Sequence, residues 1–133
     1  MNYLLDTHTL LWAITEKRKL SALVRQTIEN TDNTILVSAI SFWEITLKFS
    51  IKKLDISGFL PEDLPELFIK SGFDLIPLLP AESASYHHLP AYGQHKDPFD
   101  RMLIWQAIQQ DLILISKDEN MNPYKSAGLK LLW

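Results

Sequence analysis

At 133 residues the chain is about one domain long, and its 47% hydrophobic and 22% charged content is that of an ordinary globular protein. A net charge of −3 excludes a global attraction to nucleic acid, so any polyanion must be held by local basic patches and bound metal. The absence of cysteine excludes disulfides, zinc–thiolate sites and cysteine nucleophiles. No apolar run approaches the ~20 residues of a membrane span, and the first residues lack the basic-then-apolar layout of a secretory signal. A cytoplasmic protein without a membrane partner is expected.

Strand and helix signals alternate along the chain. Tyr3–Asp6 reads as a short buried strand, followed by a helical run, Leu10-Leu11-Trp12-Ala13-Ile14. Ser21 is a candidate N-cap for a second helix, with Leu23, Val24 and Ile28 at helical spacing. Thr34-Ile35-Leu36-Val37 is β-branched and apolar, hence a strand, and a third helix carries Ile40, Trp43, Ile45 and Leu47 toward Lys53. Pro61 opens a further helix through Lys70 that Gly72 ends, and Phe73–Leu78 returns to strand. Pro80–His88 reads as one short helix and Leu89–Lys96 as a loop. A strong helix starts at Pro98, with Asp97 as N-cap and Met102, Leu103, Ile104, Ala107 and Ile108 as its apolar face. Leu112–Ser116 and Leu129–Trp133 are the last two strands. Trp12 and Trp43 are read as core packing rather than base-stacking surfaces.

Near-continuous apolar strands separated by helices indicate a mainly parallel sheet of about five strands, covered on both faces. The expected fold is a three-layer α/β/α arrangement in a single domain spanning residues 1–133. Ligands of such sheets bind beyond the carboxyl ends of the strands. Asp6 and Asp118 stand at those ends, while Glu44 and Asp100 sit within apolar helical patterns where an unpaired carboxylate is costly to bury. Each acid has a bland reading. Asp6 and Asp97 suit N-caps, Glu44 can pair with Lys48 four residues on, and Asp118 suits a turn. Convergence of all of them on one end of the sheet points instead to a hard cation held by oxygen ligands. The four histidines are dispersed and lack the spacing of a zinc helix.

Leu4-Leu5-Asp6-Thr7-His8-Thr9-Leu10-Leu11-Trp12 resembles the opening motif of PIN-domain ribonucleases of the VapC toxin type. Ser38-Ala39-Ile40-Ser41-Phe42-Trp43-Glu44-Ile45 with Lys48 resembles the second motif, His95–Ile104 the third, and Ser116-Lys117-Asp118-Glu119 the fourth. The likeness covers nearly the whole chain in order and implies a PIN-like fold. It also implies a Mg²⁺- or Mn²⁺-dependent endoribonuclease whose catalytic and metal-ligating acids are Asp6, Glu44, Asp100 and Asp118. Asp97 belongs to the third motif, as a further ligand or as a helix cap, and Thr7 and Ser38 match hydroxyl positions near the family's site. Two positions depart from the pattern. Lys52 stands where relatives commonly carry Gly, and Trp105 replaces a small residue.

In the mechanism these residues suggest, Asp6 and Asp100 anchor the principal ion and Glu44 orients or deprotonates the attacking water. Asp118 holds a second ion or a water, and Arg101 and Lys48 contact substrate phosphate. The resemblance further implies an RNA substrate, a small antitoxin that blocks the cleft, and a homodimer. The competing readings are a housekeeping RNA-processing enzyme, a flap-type DNA nuclease, for whose added clamp the chain is short, and a non-catalytic metal-binding module.

Overall fold

The computed structural model of the protein describes residues 1–56 and 58–133. Five strands, β1 (Asn2–Leu5), β2 (Thr34–Ser38), β3 (Asp74–Ile76), β4 (Ile113–Ile115) and β5 (Lys130–Leu132), form one sheet in the order β3-β2-β1-β4-β5. Every pairing is parallel; Leu4 lies opposite Leu36 on one side and Leu114 on the other. The central strands are short and apolar because both of their faces are covered.

The two-residue alternation of a strand divides the core. Tyr3, Leu5, Ile35, Val37 and Ile115 point to one face, where they meet Leu10, Val24, Ile45, Leu64 and Phe68. Leu4, Leu36 and Leu114 point to the other and meet Leu103, Ile104, Met121 and Tyr124. The first face is covered by α1 (Thr7–Thr15), α2 (Ala22–Glu29) and α4 (Leu64–Lys70), the second by α6 (Pro98–Gln109). Helix α3 (Ala39–Ser50) contributes Ile45 to the first cluster and Ile40 to the second, and α5 (Pro80–Ser85) packs on α6. This is the expected three-layer α/β/α architecture.

The caps that set the helix starts are those the sequence indicates. Ser21 Oγ accepts the Val24 amide at 3.1 Å, and Asp97 Oδ1 accepts those of Phe99 and Asp100 at 2.9 and 3.1 Å. The helix expected from Pro61 begins with a turn of 3₁₀ helix over Pro61–Asp63, and Pro80–His88 divides into α5 and a 3₁₀ turn over Tyr86–His88. An element absent from the sequence reading is the 3₁₀ run Glu119–Ala127, which contains Pro123 and joins β4 to β5. Its polar, proline-bearing sequence has no 3.6-residue apolar period to reveal it.

Two departures have clear structural settings. Trp105 is buried against α5, where its indole N–H donates to Ser85 Oγ at 3.1 Å. Lys52 occupies the left-handed region, φ 59°, just past the end of α3. Trp43 does not pack in the core as expected. It is 61% exposed, and its ring meets that of Phe99 edge to face at 5.1 Å between centroids. Apolar residues lie all round α3, so period alone does not tell which of them faces outward. Among the described residues no helix is long and apolar enough to cross a membrane.

Candidate metal centre

The parallel sheet aims the carboxyl ends of β1 and β4 at one edge of the molecule, and the acids collect there. Asp6 directly follows β1 and is 4% exposed. Its Oδ1 accepts the Thr9 amide at 2.8 Å, capping α1, and its Oδ2 accepts a short hydrogen bond from Ser116 Oγ. Burial raises the Asp6 pKa, and the bonds from Ser116 and Thr9 oppose that shift. Ser116 Oγ also accepts the Asp118 amide at 3.1 Å, so one hydroxyl fastens the first acid to the loop carrying the last. Asp118 Oδ1 accepts the Asn120 amide at 2.9 Å and starts the 3₁₀ run.

Glu44 reaches the site from the second turn of α3 and is 2% exposed. Its Oε2 pairs with Lys48 Nζ at 2.6 Å. Its Oε1 is buried and has no hydrogen-bond partner among the described residues. A buried carboxylate oxygen left unpartnered costs of the order of 1–3 kcal/mol or more, so its retention implies something outside the chain that it serves. Asp100 lies in the first turn of α6. Burial raises its pKa to about 6, the neighbouring charges of Asp97 and Glu44 add to the rise, and His95 opposes it.

One donor atom each from His95, Asp100 and Asp118 lie within 4.8 Å of one another. Two hollows open onto this edge and share Glu119 and Asn120. One, of about 560 Å³, is lined by Asp6, His8 and Trp12, and the other, of about 780 Å³, by His95, Asp97 and Asp100. The donor set is oxygen-rich, the charges of Glu44 and Asp97 raise the pKa of Asp100, and Oε1 of Glu44 is unpartnered. These features fit a divalent cation.

The remaining site candidates separate by what they touch. The Lys48 side chain is 38% exposed, with its ammonium on Glu44. Asp97 is exposed and caps α6 through Oδ1. Thr7 donates to Ser41 Oγ at 3.1 Å, latching α1 to α3. Ser38 Oγ donates to Gln106 Oε1 and accepts the Ile40 amide, so it ties β2 to α6 and caps α3. Arg101 turns inward, against the expectation of a phosphate contact. Its Nε donates to the Tyr86 hydroxyl, its Nη1 to Pro90 O and the Tyr124 hydroxyl, and its Nη2 to Leu89 O. Those bonds engage most of the five donors of a guanidinium.

Two residues of this edge stood in the motifs but were given no site role from the sequence. Ser116 opens the fourth motif, and its hydroxyl is the one that bonds Asp6. His95 closes on Asp100, Nε2 to Oδ2 3.3 Å. Its proximity in sequence to Asp100 was visible, but the loop fold that turns the ring toward the acid was not.

Residues 3–125 match the family model of the PIN domain, and the chain belongs to that family. Among individual relatives, Ribonuclease VapC22 of Mycobacterium tuberculosis is 25% identical over 130 residues, covering 98% of this chain and 97% of its own. The fold is shared with the solved structure of VapBC2 from Rickettsia felis bound to a DNA fragment from their promoter. That match has a TM-score of 0.69 at 19% identity, covering 100% of this chain and 99% of the other. DNA-bound VapBC from Salmonella typhimurium matches with a TM-score of 0.64 at 16% identity, over 99% of this chain and 97% of that one.

Proposed function

We propose that the chain is a Mg²⁺- or Mn²⁺-dependent endoribonuclease, the toxin of a toxin–antitoxin pair, acting on RNA in the cytoplasm. The observation that carries this reading is the buried, unpartnered Oε1 of Glu44 beside the raised carboxyl of Asp100, at the carboxyl edge of a PIN-family sheet. The likeness to a ribonuclease along nearly the whole chain supports the choice of substrate. When bound, the cation supplies positive charge opposite the scissile phosphate and acidifies water.

The chain's own residues do the rest. Asp6, Asp100 and Asp118 hold the cation, with Asp6 kept in one rotamer by Ser116 and Thr9. Glu44 Oε1 accepts a proton from the attacking water, and Lys48 fixes the carboxylate's plane through Oε2. The exposed flank of Lys48 meets the substrate phosphate, a role that Arg101 is not free to share. Water adds to phosphorus as its proton passes to Glu44 Oε1, the bond to one ester oxygen breaks, and that oxygen leaves with a proton taken from solvent, to which Glu44 later returns its own. Thr7 and Ser38 support the site indirectly, by fixing α1 and α3.

A protein partner fits the surface. A groove of about 580 Å³ runs along α1, α2 and α4, lined by Ala13, Ile14, Leu20, Ile28, Phe59 and Leu67 among others. It suits the apolar face of an antitoxin helix. The exposed side chains Trp43 and Leu47 of α3, with Ile51 at its C-cap, suit a second copy of the chain.

The test is cleavage of a panel of structured RNAs by purified protein with Mn²⁺ or EDTA, with product ends mapped and flap DNA in parallel. Glu44→Gln is expected to lower the rate by about 10²–10⁴-fold. Equal cleavage by wild type and variant would remove Glu44 from the chemistry, and preferential cleavage of flap DNA would replace the substrate class.

A further inference from the structure

The end of α6 that carries Asp100 also carries a chain of hydrogen bonds running inward from it. His95 Nε2 faces Asp100 Oδ2 at 3.3 Å, and its Nδ1 faces the Tyr124 hydroxyl at 2.9 Å. Arg101 Nη1 donates to the same hydroxyl at 2.9 Å. Tyr124 is fully buried, out of reach of bulk water, and the His95 side chain is only 9% exposed.

The two ends of this chain fix its direction. A guanidinium only donates, so the Tyr124 oxygen accepts from Arg101. The phenolic hydrogen then needs an acceptor, and among the described residues the one recorded within reach is Nδ1 of His95. A ring that accepts at Nδ1 carries its proton on Nε2. An ionised carboxylate only accepts, so Nε2–H donates to Asp100 Oδ2. Every group is satisfied by one polarity, Arg101 to Tyr124 to His95 to Asp100. The reverse tautomer leaves the buried Tyr124 hydrogen without an acceptor and sets a ring lone pair against a carboxylate.

We propose that His95 is a positioning residue for the cation site. Held in its Nε2–H tautomer by Tyr124 and Arg101, it engages Oδ2 of Asp100 and so fixes the orientation of the carboxylate that would hold the cation. This rests on the metal-dependent reading above and adds a role to it. It also gives Arg101 a function that its inward turn otherwise lacks. The guanidinium is braced on Leu89 O, Pro90 O and the Tyr86 hydroxyl, and lies over the Tyr86 and Tyr124 rings at 5.4 and 5.8 Å. The loop that bears His95 is thereby tied to the helix that bears Asp100. With Nε2–H turned to Asp100, His95 would not offer that nitrogen to an ion, and the acids that would hold it offer oxygen only, which suits Mg²⁺ as well as Mn²⁺.

Three measurements on the full chain test this. Long-range ¹H–¹⁵N correlation spectra of metal-free protein at about pH 8, where an ordinary histidine ring carries one proton, are expected to show the His95 proton on Nε2. Tyr124→Phe is expected to abolish that preference. Mn²⁺ affinity, read from the electron paramagnetic resonance signal of the free ion, is expected to fall about 10–100-fold in His95→Ala. His95→Gln, whose amide N–H₂ can reach the same carboxylate, is expected to recover most of the loss, which a merely structural defect would not. The spin-echo signal of bound Mn²⁺ is expected to lack ¹⁴N modulation that depends on His95. A proton on Nδ1, or unchanged affinity in a folded His95→Ala protein, would overturn the proposal. Modulation lost in His95→Ala but kept in His8→Gln would make His95 a direct ligand instead. Wild-type protein that binds no Mn²⁺ would overturn the metal-dependent reading itself, whereas binding that ignores His95 would overturn this inference alone.

Discussion

Asp100 is where the electrostatics of the site converge, and its titration leads to a prediction of definite sign. Its carboxyl is raised to about 6, first by burial, then by the charges of Asp97 and Glu44. An unfolded Asp titrates near pH ~3.9, so between about pH 4 and 6 the native state binds the additional proton. Excess protons on the native side make stability fall as pH rises through that window and stay lower above it, by up to roughly 3 kcal/mol. Asp6, raised by burial, acts in the same direction. A divalent cation favours the ionised form and restores what is lost, so it stabilises more at about pH 7.5 than at about pH 5. Asp100→Asn should therefore melt higher than wild type in EDTA at neutral pH, with the difference vanishing near pH ~4. It should also gain much less from Mn²⁺. Thermal melts across this range, with and without metal, measure both effects. A wild-type advantage over Asp100→Asn that grows with pH in EDTA would contradict the assignment of strain to this carboxylate.

Helices α3, α4 and α6 end in the same way, and the comparison shows where the fold carries a local cost. In each, the residue after the cap is left-handed, Lys52 at φ 59°, Gly72 at 93° and Asp111 at 55°. Amides then bond backward to close the last turn: Lys53 to Lys48 O, Phe73 to Phe68 O, and Leu112 to Ala107 O. Glycine adopts this conformation freely, Asp tolerates it, and a Lys with its Cβ is strained by about 1–2 kcal/mol. Lys52→Gly should raise stability by about 0.5–1 kcal/mol, or about 3 °C in Tm, after allowing for the freer unfolded chain. Chemical denaturation measures it, and a lower midpoint would show that the Lys52 side chain contributes more than its strain.

The same elements show what the sequence discloses. Strands such as Leu4-Leu5 and Leu112–Ile115 and the caps Ser21 and Asp97 were legible because burial and capping leave local residue patterns. The acidic edge was legible because Asp6 and Asp118 follow strands that had to be parallel. Three things lacked a local signal. The exposure of Trp43 depends on which side of an all-round apolar helix meets the sheet. The inward turn of Arg101 depends on carbonyls at Leu89 and Pro90, in a loop without periodicity. Glu82, buried and bonded to Gln106 Nε2 at 3.0 Å and Gln110 Nε2 at 2.7 Å, is as hidden as Glu44. Its partners satisfy it fully, so it belongs to packing. Only tertiary structure distinguishes the two.

At the scale of the whole molecule, the outward face of α3 is the feature that a lone chain leaves uncovered. Trp43 and Leu47 of α3 and Ile51 at its C-cap follow one another at four-residue steps and are 61%, 44% and 53% exposed. Side chains so spaced form one stripe along the helix. Isolated exposed apolar residues are unremarkable, but a contiguous row on one element marks an interaction surface. A second copy of the chain covers such a row economically, because a two-fold axis sets the same stripe against itself and closes the assembly at two. The stripe runs away from the acids after Trp43, so Leu47 and Ile51 can be altered without touching the cation site. At micromolar concentrations wild type is expected to sediment as a dimer and the double variant Leu47→Asp/Ile51→Asp as a monomer. Its Mn²⁺ affinity should stay within about twofold of wild type, since neither side chain belongs to the ligand set. Unchanged dimerisation would move the contact to the α1–α2–α4 groove, where Leu67→Asp should then disrupt it. Wild type that remains monomeric at the highest soluble concentration would leave the α3 stripe to a different protein. Purification with a candidate antitoxin protein, followed by the same sedimentation measurement on Leu47→Asp/Ile51→Asp, distinguishes that case.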